Sequence, residues 1–296
     1  MQVIEERDAI ILDLNWHPNG KYLAVVGSDG FLRIFEGTKK IFETQRKRSV
    51  RRVEWSPDGN SLVTAGFDAN GIIYHFDPAA QPVCKIHERL EGQDNELKTA
   101  RWSHDGKSIV TCSRDKSVWV WNSDDGDCIA VHRGHTADIK DAMFAPDDQL
   151  MASVSFDGTM KLWDPLDEAG EIQSFEDHEG TIWGLAFNPN NSDIVSIGED
   201  GKAILYRKEG EVYKFVTLLE LQKALQPLYS VTFCDNEWII TGSERIIYFI
   251  DENFEKINRT VETQHIGDIN CCRPCPTQHN LLATGSDDGT VVLINV

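Results

Sequence analysis

The sequence has few basic residues and no long apolar run. Lys and Arg number 29 against 48 Asp and Glu, which gives a formal net charge of −19. A surface of that sign repels phosphate, so it argues against direct nucleic-acid binding and against binding to anionic membranes. No stretch approaches the roughly 18 apolar residues of a membrane span, and the opening MQVIEERDAI lacks the basic-then-apolar pattern of a signal peptide. We expect a soluble intracellular protein.

Motifs of catalytic and metal chemistry are also missing. Seven cysteines, an odd number scattered along 296 residues, favour reduced thiols over a disulfide framework. Neither His-Glu-x-x-His nor Gly-x-Ser-x-Gly occurs. Cys271, Cys272 and Cys275 form a cluster, but they lack a fourth ligand and fall in and just after a predicted strand, where alternate side chains point apart. We expect small buried side chains, with metal ligation as the alternative, and no cofactor or enzymatic activity.

A repeat of about 42 residues fills the chain. Its anchor is an aromatic residue followed two positions later by Pro, or a decayed version of that pair, at the end of a β-rich run. The anchors are Trp16, Trp55, Trp102, Phe144, Phe187 and Phe233, with Pro274 in the aromatic's place in the seventh copy. The intervals between them are 39, 47, 42, 43, 46 and 41 residues. The chain therefore consists of seven similar units.

The pattern of each unit predicts four short strands separated by turns. An aspartate in a turn follows the first five anchors by 13 residues, at Asp29, Asp68, Asp115, Asp157 and Asp200. In the seventh unit the gap is 14 residues, to Asp288, and the sixth unit has a shortened turn without the aspartate. Turn signals such as SPDGN, SHDGK and FDGT lie between the predicted strands.

The best copies, DAMFAPDDQLMASVSFDGTMKLWD and TARWSHDGKSIVTCSRDKSVWVWN, resemble WD40 repeats. The resemblance implies an all-β fold, a seven-bladed WD40 propeller formed by residues 1–296 as a single unit. The N-terminal strand, in QVIEE, should supply the missing fourth strand of the last blade. The resemblance also implies a polar brace in the fourth unit, made of His135, Ser153, Asp157 and Trp163. Gln93 stands where the third unit would have the corresponding histidine, so we expect a weaker brace there.

Two positions per repeat should surround one mouth of the central channel, on the face here called the top face. The residue four before each anchor, here called the ring residue, gives Leu12, Arg51, Lys98, Lys140, Trp183, Tyr229 and Asn270. The residue before each turn aspartate, here called the rim residue, gives Ser28, Phe67, Arg114, Phe156, Glu199 and Asp287. Four cations beside aromatic residues have the composition of a protein-binding hot spot. An ordinary solvated rim is the alternative. We predict that the partner-binding residues of the top face are Arg51, Phe67, Lys98, Arg114, Lys140, Phe156, Trp183 and Tyr229.

Four segments give a narrower resemblance that runs along essentially the whole chain. CSRDKSVWVW, SVRRVEWSPDGNSLVTAGFDA, HEGTIWGLAF and HIGDINCCRPCPTQHNLLATGSDDG look like the WD40 subunit of the cytosolic iron–sulfur protein assembly machinery. That resemblance implies a non-catalytic platform that joins partner subunits and delivers clusters to cytosolic and nuclear apoproteins. It implies a functional role for Arg114 on the top face and a cytoplasmic location, with the nucleus as a second one. The chain departs from the family at Leu12, Gln93, Pro274 and in the sixth unit.

Three further interpretations stay open at this point. Leu205, Tyr206 and Arg207 form a Leu-Tyr-Arg tripeptide of the kind recognised by a cluster-transfer co-chaperone, whereas the repeat places Tyr206 at a buried third-strand position. The chain could instead be an unrelated WD40 scaffold in ubiquitin ligation, chromatin or trafficking. A propeller enzyme with a site in the channel is the third alternative.

An acidic or carboxylate-bearing partner segment is the occupant that the cations of the top face favour.

Overall fold

The computed structural model describes residues 2–5, 9–168, 170–221 and 226–296. The described residues form 28 β-strands in seven four-stranded antiparallel sheets. They contain no α-helix, and hence none long and apolar enough to cross a membrane. The prediction of an all-β, seven-bladed WD40 propeller is confirmed.

In each of blades 1 to 4, the four strands follow one another along the chain. Blade 1 consists of β2 (Ile11–Trp16), β3 (Tyr22–Gly27), β4 (Phe31–Glu36) and β5 (Lys39–Gln45). Blade 2 consists of β6 (Val50–Trp55), β7 (Ser61–Gly66), β8 (Asn70–Phe76) and β9 (Cys84–Glu91). Blade 3 consists of β10 (Leu97–Trp102), β11 (Ser108–Ser113), β12 (Ser117–Asn122) and β13 (Cys128–Arg133). Blade 4 consists of β14 (Ile139–Phe144), β15 (Met151–Ser155), β16 (Met160–Trp163) and β17 (Glu171–Phe175).

The last three sheets include the one that joins the two ends of the chain. Blade 5 consists of β18 (Ile182–Phe187), β19 (Ile194–Gly198), β20 (Lys202–Glu209) and β21 (Val212–Glu220). Blade 6 consists of β22 (Leu228–Cys234), β23 (Glu237–Gly242), β24 (Ile246–Asp251) and β25 (Ile257–Glu262). Blade 7 consists of β26 (Ile269–Cys275), β27 (Gln278–Ser286), β28 (Thr290–Asn295) and, on its outer edge, β1 (Gln2–Glu5).

The N-terminal strand closes the ring, as the sequence predicts. β1 pairs with β28 in antiparallel register, with Gln2 opposite Leu293 and Glu5 opposite Thr290. Ile4 is buried in the cluster between blades 7 and 1, whereas its neighbour Val3 is 43% exposed. The strand therefore contributes both backbone hydrogen bonds and one apolar side chain to the closure.

Apolar side chains between neighbouring blades form the core. Each of the seven hydrophobic clusters joins two adjacent blades, and the inner strands contact one another in a closed ring from β2 to β26. The second strands β3 and β15 are buried at every residue because both sheet faces are covered by neighbouring blades. The blades are thus held together by burial of their sheet faces against one another.

Candidate partner-binding face

The top face is organised by a β-bulge in every inner strand. The register of every inner strand shifts at the ring residue, four before the anchor, and β26 has a second shift between Pro274 and Cys275. A bulge leaves its extra residue out of the ladder and turns its side chain away from the regular alternation. The seven bulges accordingly direct residues 12, 51, 98, 140, 183, 229 and 270 to the channel mouth.

A recurring backbone hydrogen bond places each rim residue. The N–H of Arg114 donates to the carbonyl of Glu96 at 3.0 Å, and that of Phe156 donates to Asp138 at 2.8 Å. The same bond joins Phe67 to Ser49, Glu199 to Thr181, Ser28 to Ile10, Ser243 to Pro227 and Asp287 to Asp268. Its acceptor lies six residues before the anchor in every blade. Ring and rim residues are therefore fixed relative to each other by main-chain geometry.

Hydrogen bonds hold the backbone of the turn that carries Arg114, whereas the Arg114 side chain extends into solvent. Asp115 accepts hydrogen bonds from the N–H groups of Asp94, at 3.0 Å, and Ser117, at 2.9 Å. Lys116 has φ 72°, a left-handed conformation that other blades assign to glycine at Gly30, Gly158, Gly201 and Gly289. The Arg114 side chain itself is 54% exposed. A backbone held by hydrogen bonds therefore presents an exposed guanidinium group on the top face.

Two of the predicted cations, Lys98 and Lys140, lie against predicted aromatic residues. Lys98 Nζ is 4.3 Å from the centre of the Phe67 ring. Lys140 Nζ is 5.2 Å from the Phe156 ring and 5.0 Å from the Trp183 ring. Trp183 in turn meets Tyr229 edge to face, with 5.8 Å between ring centres. Contacts of this kind stabilise a cation on an aromatic face.

Two carboxylates that the sequence analysis missed lie among these cations. Glu96 Oε2 is 2.8 Å from Lys98 Nζ and 3.8 Å from Arg114 Nη1. Asp138 Oδ2 is 3.8 Å from Arg114 Nε and 3.7 Å from Lys140 Nζ. Both acids occupy the position six before an anchor, so applying the repeat spacing to that position would have found them. The top face carries an alternating row of charges rather than a purely cationic quadrant.

Burial lowers the pKa of two ring cations. For Lys140 the loss of solvent is the main cause, with repulsion from Lys98 and Arg51 adding to it and Asp138 opposing it. Burial also lowers the pKa of Arg51, and Arg52 repels it. Arg51 donates a hydrogen bond from Nη1 to the Leu12 carbonyl at 2.9 Å. These side chains line the channel mouth instead of extending into solvent, whereas Arg114 lies at the rim.

A second layer of charges, also missed from the sequence, crosses the channel below the ring residues. Asp141 accepts from Arg52, with Nη2 at 2.9 Å from each carboxylate oxygen, and from Arg101 Nη2 at 2.7 Å. The layer continues to Asp13, whose Oδ2 lies 3.8 Å from Arg52 Nε and whose Oδ1 lies 3.3 Å from Arg273 Nη2. This layer separates an upper space beneath the ring residues from a lower cavity of about 260 Å³ lined by Glu54.

The brace residues form a connected network in blade 4. His135 Nε2 lies 2.8 Å from Ser153 Oγ, its Nδ1 lies 3.0 Å from Asp157, and Trp163 Nε1 donates to Ser153 at 2.8 Å. Burial alone would raise the pKa of Asp157, but hydrogen bonds from His135, Thr159 and the Thr136 N–H outweigh it and bring that pKa well below its usual range.

Similar networks with different residues occur in blades 2 and 3. In blade 3, Gln93 accepts from Thr111 Oγ1 at 2.6 Å and donates to Ser117. In blade 2 an arginine takes the histidine's place: Arg46 donates to Asp68 and, at 3.0 Å, to Thr64 Oγ1. A pattern based on histidine does not find Arg46 in the sequence.

The Leu-Tyr-Arg tripeptide lies inside blade 5. Leu205 and Tyr206 in β20 are fully buried, and Arg207 Nε pairs with Asp193 Oδ2 at 3.1 Å. A co-chaperone that reads the tripeptide cannot reach Leu205 and Tyr206 in the folded protein, although Arg207 is 38% exposed. That candidate interpretation is therefore withdrawn, because the tripeptide belongs to the interface between blades.

The clustered cysteines lie on both faces of β26. Cys271 and Cys275 pack in the cluster between blades 7 and 1, and Cys272 packs in the cluster between blades 6 and 7. Burial raises the pKa of Cys272 to about 12 and also raises that of Cys271. No set of three potential metal ligands occurs within residues 2–5, 9–168, 170–221 and 226–296.

Comparison with known proteins finds WD40 repeats in this chain. The family model described as WD domain, G-beta repeat, matches residues 126–164, 170–207 and 257–295. A model described as Eukaryotic translation initiation factor eIF2A matches residues 2–124, which is less than half of the chain. Periodic tryptophan protein 2 of Arabidopsis thaliana is 26% identical over 64% of this chain, but only 21% of that relative.

Two relatives match most of the chain along most of their own length. The probable cytosolic iron-sulfur protein assembly protein CIAO1 homolog of Caenorhabditis elegans is 31% identical, over 94% of this chain and 91% of the relative. The probable cytosolic iron-sulfur protein assembly protein 1 of Vanderwaltozyma polyspora is 28% identical, over 85% of this chain and 82% of the relative. Seven blades, the closing N-terminal strand and these similarities agree, and the chain belongs to the WD40-repeat family of cytosolic iron–sulfur protein assembly proteins.

Proposed function

We propose that this protein is a non-catalytic adaptor of a cytosolic iron–sulfur cluster targeting complex. It docks partner subunits and apoprotein clients so that clusters can be inserted into the clients. Family membership supports the pathway, since the names of the similar proteins state cytosolic iron–sulfur protein assembly. The proposed location is the cytoplasm, with the nucleus as a second compartment.

The observation that carries the docking proposal is the construction of the top face. Lys98 lies against Phe67, and Lys140 lies against Phe156 and Trp183. Tyr229 packs on Trp183, and Arg51 and Arg114 belong to the same set of ring and rim positions. Phe156 is 58% exposed and Arg114 is 54% exposed, although Arg and aromatic side chains are the residue types that dominate binding energy when an interface covers them. The favoured occupant is an acidic or carboxylate-bearing segment of a partner protein.

Affinity purification of the tagged protein from a cell extract, followed by mass spectrometry, tests this proposal. We expect iron–sulfur assembly subunits and iron–sulfur apoproteins to co-purify, and we expect Arg114→Glu to lose a subset of them. Arg133→Glu is the matched control, because Arg133 lies on the outer strand of the same blade and is also exposed. Recovery of ubiquitin-ligase, chromatin or vesicle-coat components instead would overturn the proposed pathway.

A further inference from the structure

Five charged side chains of alternating sign form a row along the top face from blade 3 to blade 4. Their order is Lys98, Glu96, Arg114, Asp138 and Lys140, and neighbouring charges are 2.8, 3.8, 3.8 and 3.7 Å apart. Each acid lies between two cations, and Arg114 lies between the two acids. The row is therefore nearly neutral as a whole, with one positive charge in excess.

Glu96 and Asp138 attract the Arg114 guanidinium group but do not form hydrogen bonds with it. Both of its ion pairs are 3.8 Å long, beyond hydrogen-bond distance, and the guanidinium group makes no side-chain hydrogen bond to any residue that the structure describes. A planar guanidinium can bind a carboxylate with two parallel N–H bonds at about 2.8 Å. The Arg114 side chain is thus kept in place by weak contacts that a better-placed carboxylate can replace.

Glu96 stays ionised at neutral pH, and Asp138 is open to an approaching partner. The hydrogen bond from Lys98 is the main cause that lowers the pKa of Glu96, and the charges of Lys98, Arg114 and Arg48 add to it. The side chains of Glu96 and Asp138 are 20% and 30% exposed. A carboxylate that approaches Arg114 therefore meets two negative charges close to its binding position.

We infer that Glu96 and Asp138 are built-in competitors of the partner carboxylate and set the selectivity of the top face. Docking then exchanges the carboxylates around Arg114. The partner's carboxylate binds the guanidinium group, while Glu96 stays paired with Lys98 and Asp138 with Lys140. A single weakly placed carboxylate does not outweigh the repulsion, whereas a segment with several well-placed acidic groups does. This inference rests on the proposed function, because it assumes that an acidic segment binds beside Arg114.

The main chain shows why the two acids can be neutralised without disturbing the site. The carbonyl of Glu96 accepts from the Arg114 N–H, and that of Asp138 accepts from the Phe156 N–H, so both residues position the rim through backbone atoms. Glu96→Gln and Asp138→Asn keep these bonds and the side-chain shape and remove only the charge. Glu199→Gln is a matched control at the blade 5 rim, where Glu199 accepts from the Thr181 N–H at 3.3 Å.

Fluorescence anisotropy of the full-length protein with a labelled hexaglutamate peptide tests the inference, with a hexaglutamine peptide as the neutral probe. At low salt, about 50 mM, we expect Glu96→Gln and Asp138→Asn each to bind hexaglutamate about 3–10-fold more tightly than wild type, and the gain should shrink to less than about 2-fold at 300 mM salt. Hexaglutamine binding and the Glu199→Gln control should change less than about 2-fold.

The outcomes of this experiment distinguish acidic docking at Arg114 from the competitor role of Glu96 and Asp138. If wild type binds hexaglutamate and Arg114→Glu does not, while both neutralised variants bind no better than wild type, the competitor role is wrong and acidic docking stands. If only the neutralised variants bind, masking by Glu96 and Asp138 is supported. If no variant binds hexaglutamate, acidic docking at Arg114 and the inference built on it both fail.

Discussion

Arg52 of blade 2 reaches past blade 3 to Asp141 of blade 4, with its Nη2 2.9 Å from both carboxylate oxygens. Arg101 of blade 3 binds the same carboxylate through Nη2 at 2.7 Å. One acid thus joins three consecutive blades across the channel wall. Removing one partner of a buried charge pair leaves the other charge without compensation, which costs more than the pair contributes.

We expect Asp141→Asn to lower the free energy of unfolding by about 3 kcal/mol, because two arginines lose their common counter-charge. Urea denaturation at neutral pH measures this loss. Glu209→Gln, which removes the partner of the exposed Lys214, is the control and should cost less than about 1 kcal/mol. Equal effects of the two substitutions would show that the channel pair is no more important than a surface pair.

Ring closure by β1 predicts different effects for two neighbouring residues. Ile4→Ala removes a side chain buried against blades 7 and 1 and should cost about 2–3 kcal/mol. Val3→Ala, at a residue that is 43% exposed, should cost less than about 1 kcal/mol. Differential scanning calorimetry or urea denaturation compares them.

Deletion of residues 2–5 should have a larger effect than either substitution, since it exposes the hydrogen-bonding edge of β28. We expect a lower melting temperature and aggregation. A truncated protein that melts like the full-length form would show that β1 contributes nothing to closure.

The thiols should be unreactive, and the isolated protein should contain no iron. Cys271 and Cys272 are buried, and burial raises their pKa, so little thiolate is present at pH 8. We expect Cys128, an exposed thiol on the outer strand of blade 3, to react first with a disulfide reagent. Protein isolated anaerobically should be colourless. Visible absorption that disappears in a Cys272→Ser, Cys275→Ser double variant would contradict this expectation.

The repeat spacing was sufficient to predict the fold because each blade repeats the same polar and apolar positions. The ring and rim residues followed from that spacing, since their backbone geometry recurs in all seven blades. Glu96 and Asp138 obey the same spacing, at the position six before the anchor, but nothing in the sequence alone shows that this position lies among the cations of the top face.

Other features could not be predicted from a repeat at all. The pair of Arg52 and Asp141 joins blades that are not neighbours, so no spacing within a unit indicates it. Arg46 replaces a histidine with a longer side chain that reaches the same aspartate and threonine acceptors. Both features depend on side-chain length and on the curvature of the ring, which sequence patterns do not describe.

The stability of the protein should change with pH through Glu54. Burial in the channel is the main cause that raises the pKa of Glu54 to about 8, although Arg52 and Arg273 oppose it. Its ordinary value is 4.5, so between pH 4.5 and 8 the unfolded chain releases a proton that the folded protein keeps. Glu54 therefore makes the folded state progressively less stable as pH rises through that window.

Glu54→Gln removes this effect. Relative to wild type, the variant should gain about 1–3 kcal/mol of stability when the pH is raised from about 5 to about 8. Urea denaturation of both proteins at the two pH values measures the difference. A difference between variant and wild type that is the same at both pH values would mean that Glu54 titrates normally.

The side chain of Arg114 should decide partner binding without affecting folding. Arg114→Lys keeps the charge but loses the planar fork that binds a carboxylate with two bonds, so partner affinity should already fall. Arg114→Glu places a third negative charge between Glu96 and Asp138 and should weaken binding by about 2–5 kcal/mol if the pair is buried in the complex. Folding should survive both changes, because the side chain is 54% exposed and the turn is fixed by Asp115 and by the backbone bond to Glu96.

Affinity for a co-purified partner at two salt concentrations, with circular dichroism and melting of each variant, measures the role of Arg114. Arg133→Glu makes the same charge change on the outer strand of the same blade and should bind the partner like wild type. The loss caused by Arg114→Glu should be smaller at high salt, because screening weakens the attraction between partner and rim. If Arg114→Glu binds normally, or fails to bind only because it is unfolded, the partner does not dock at this rim.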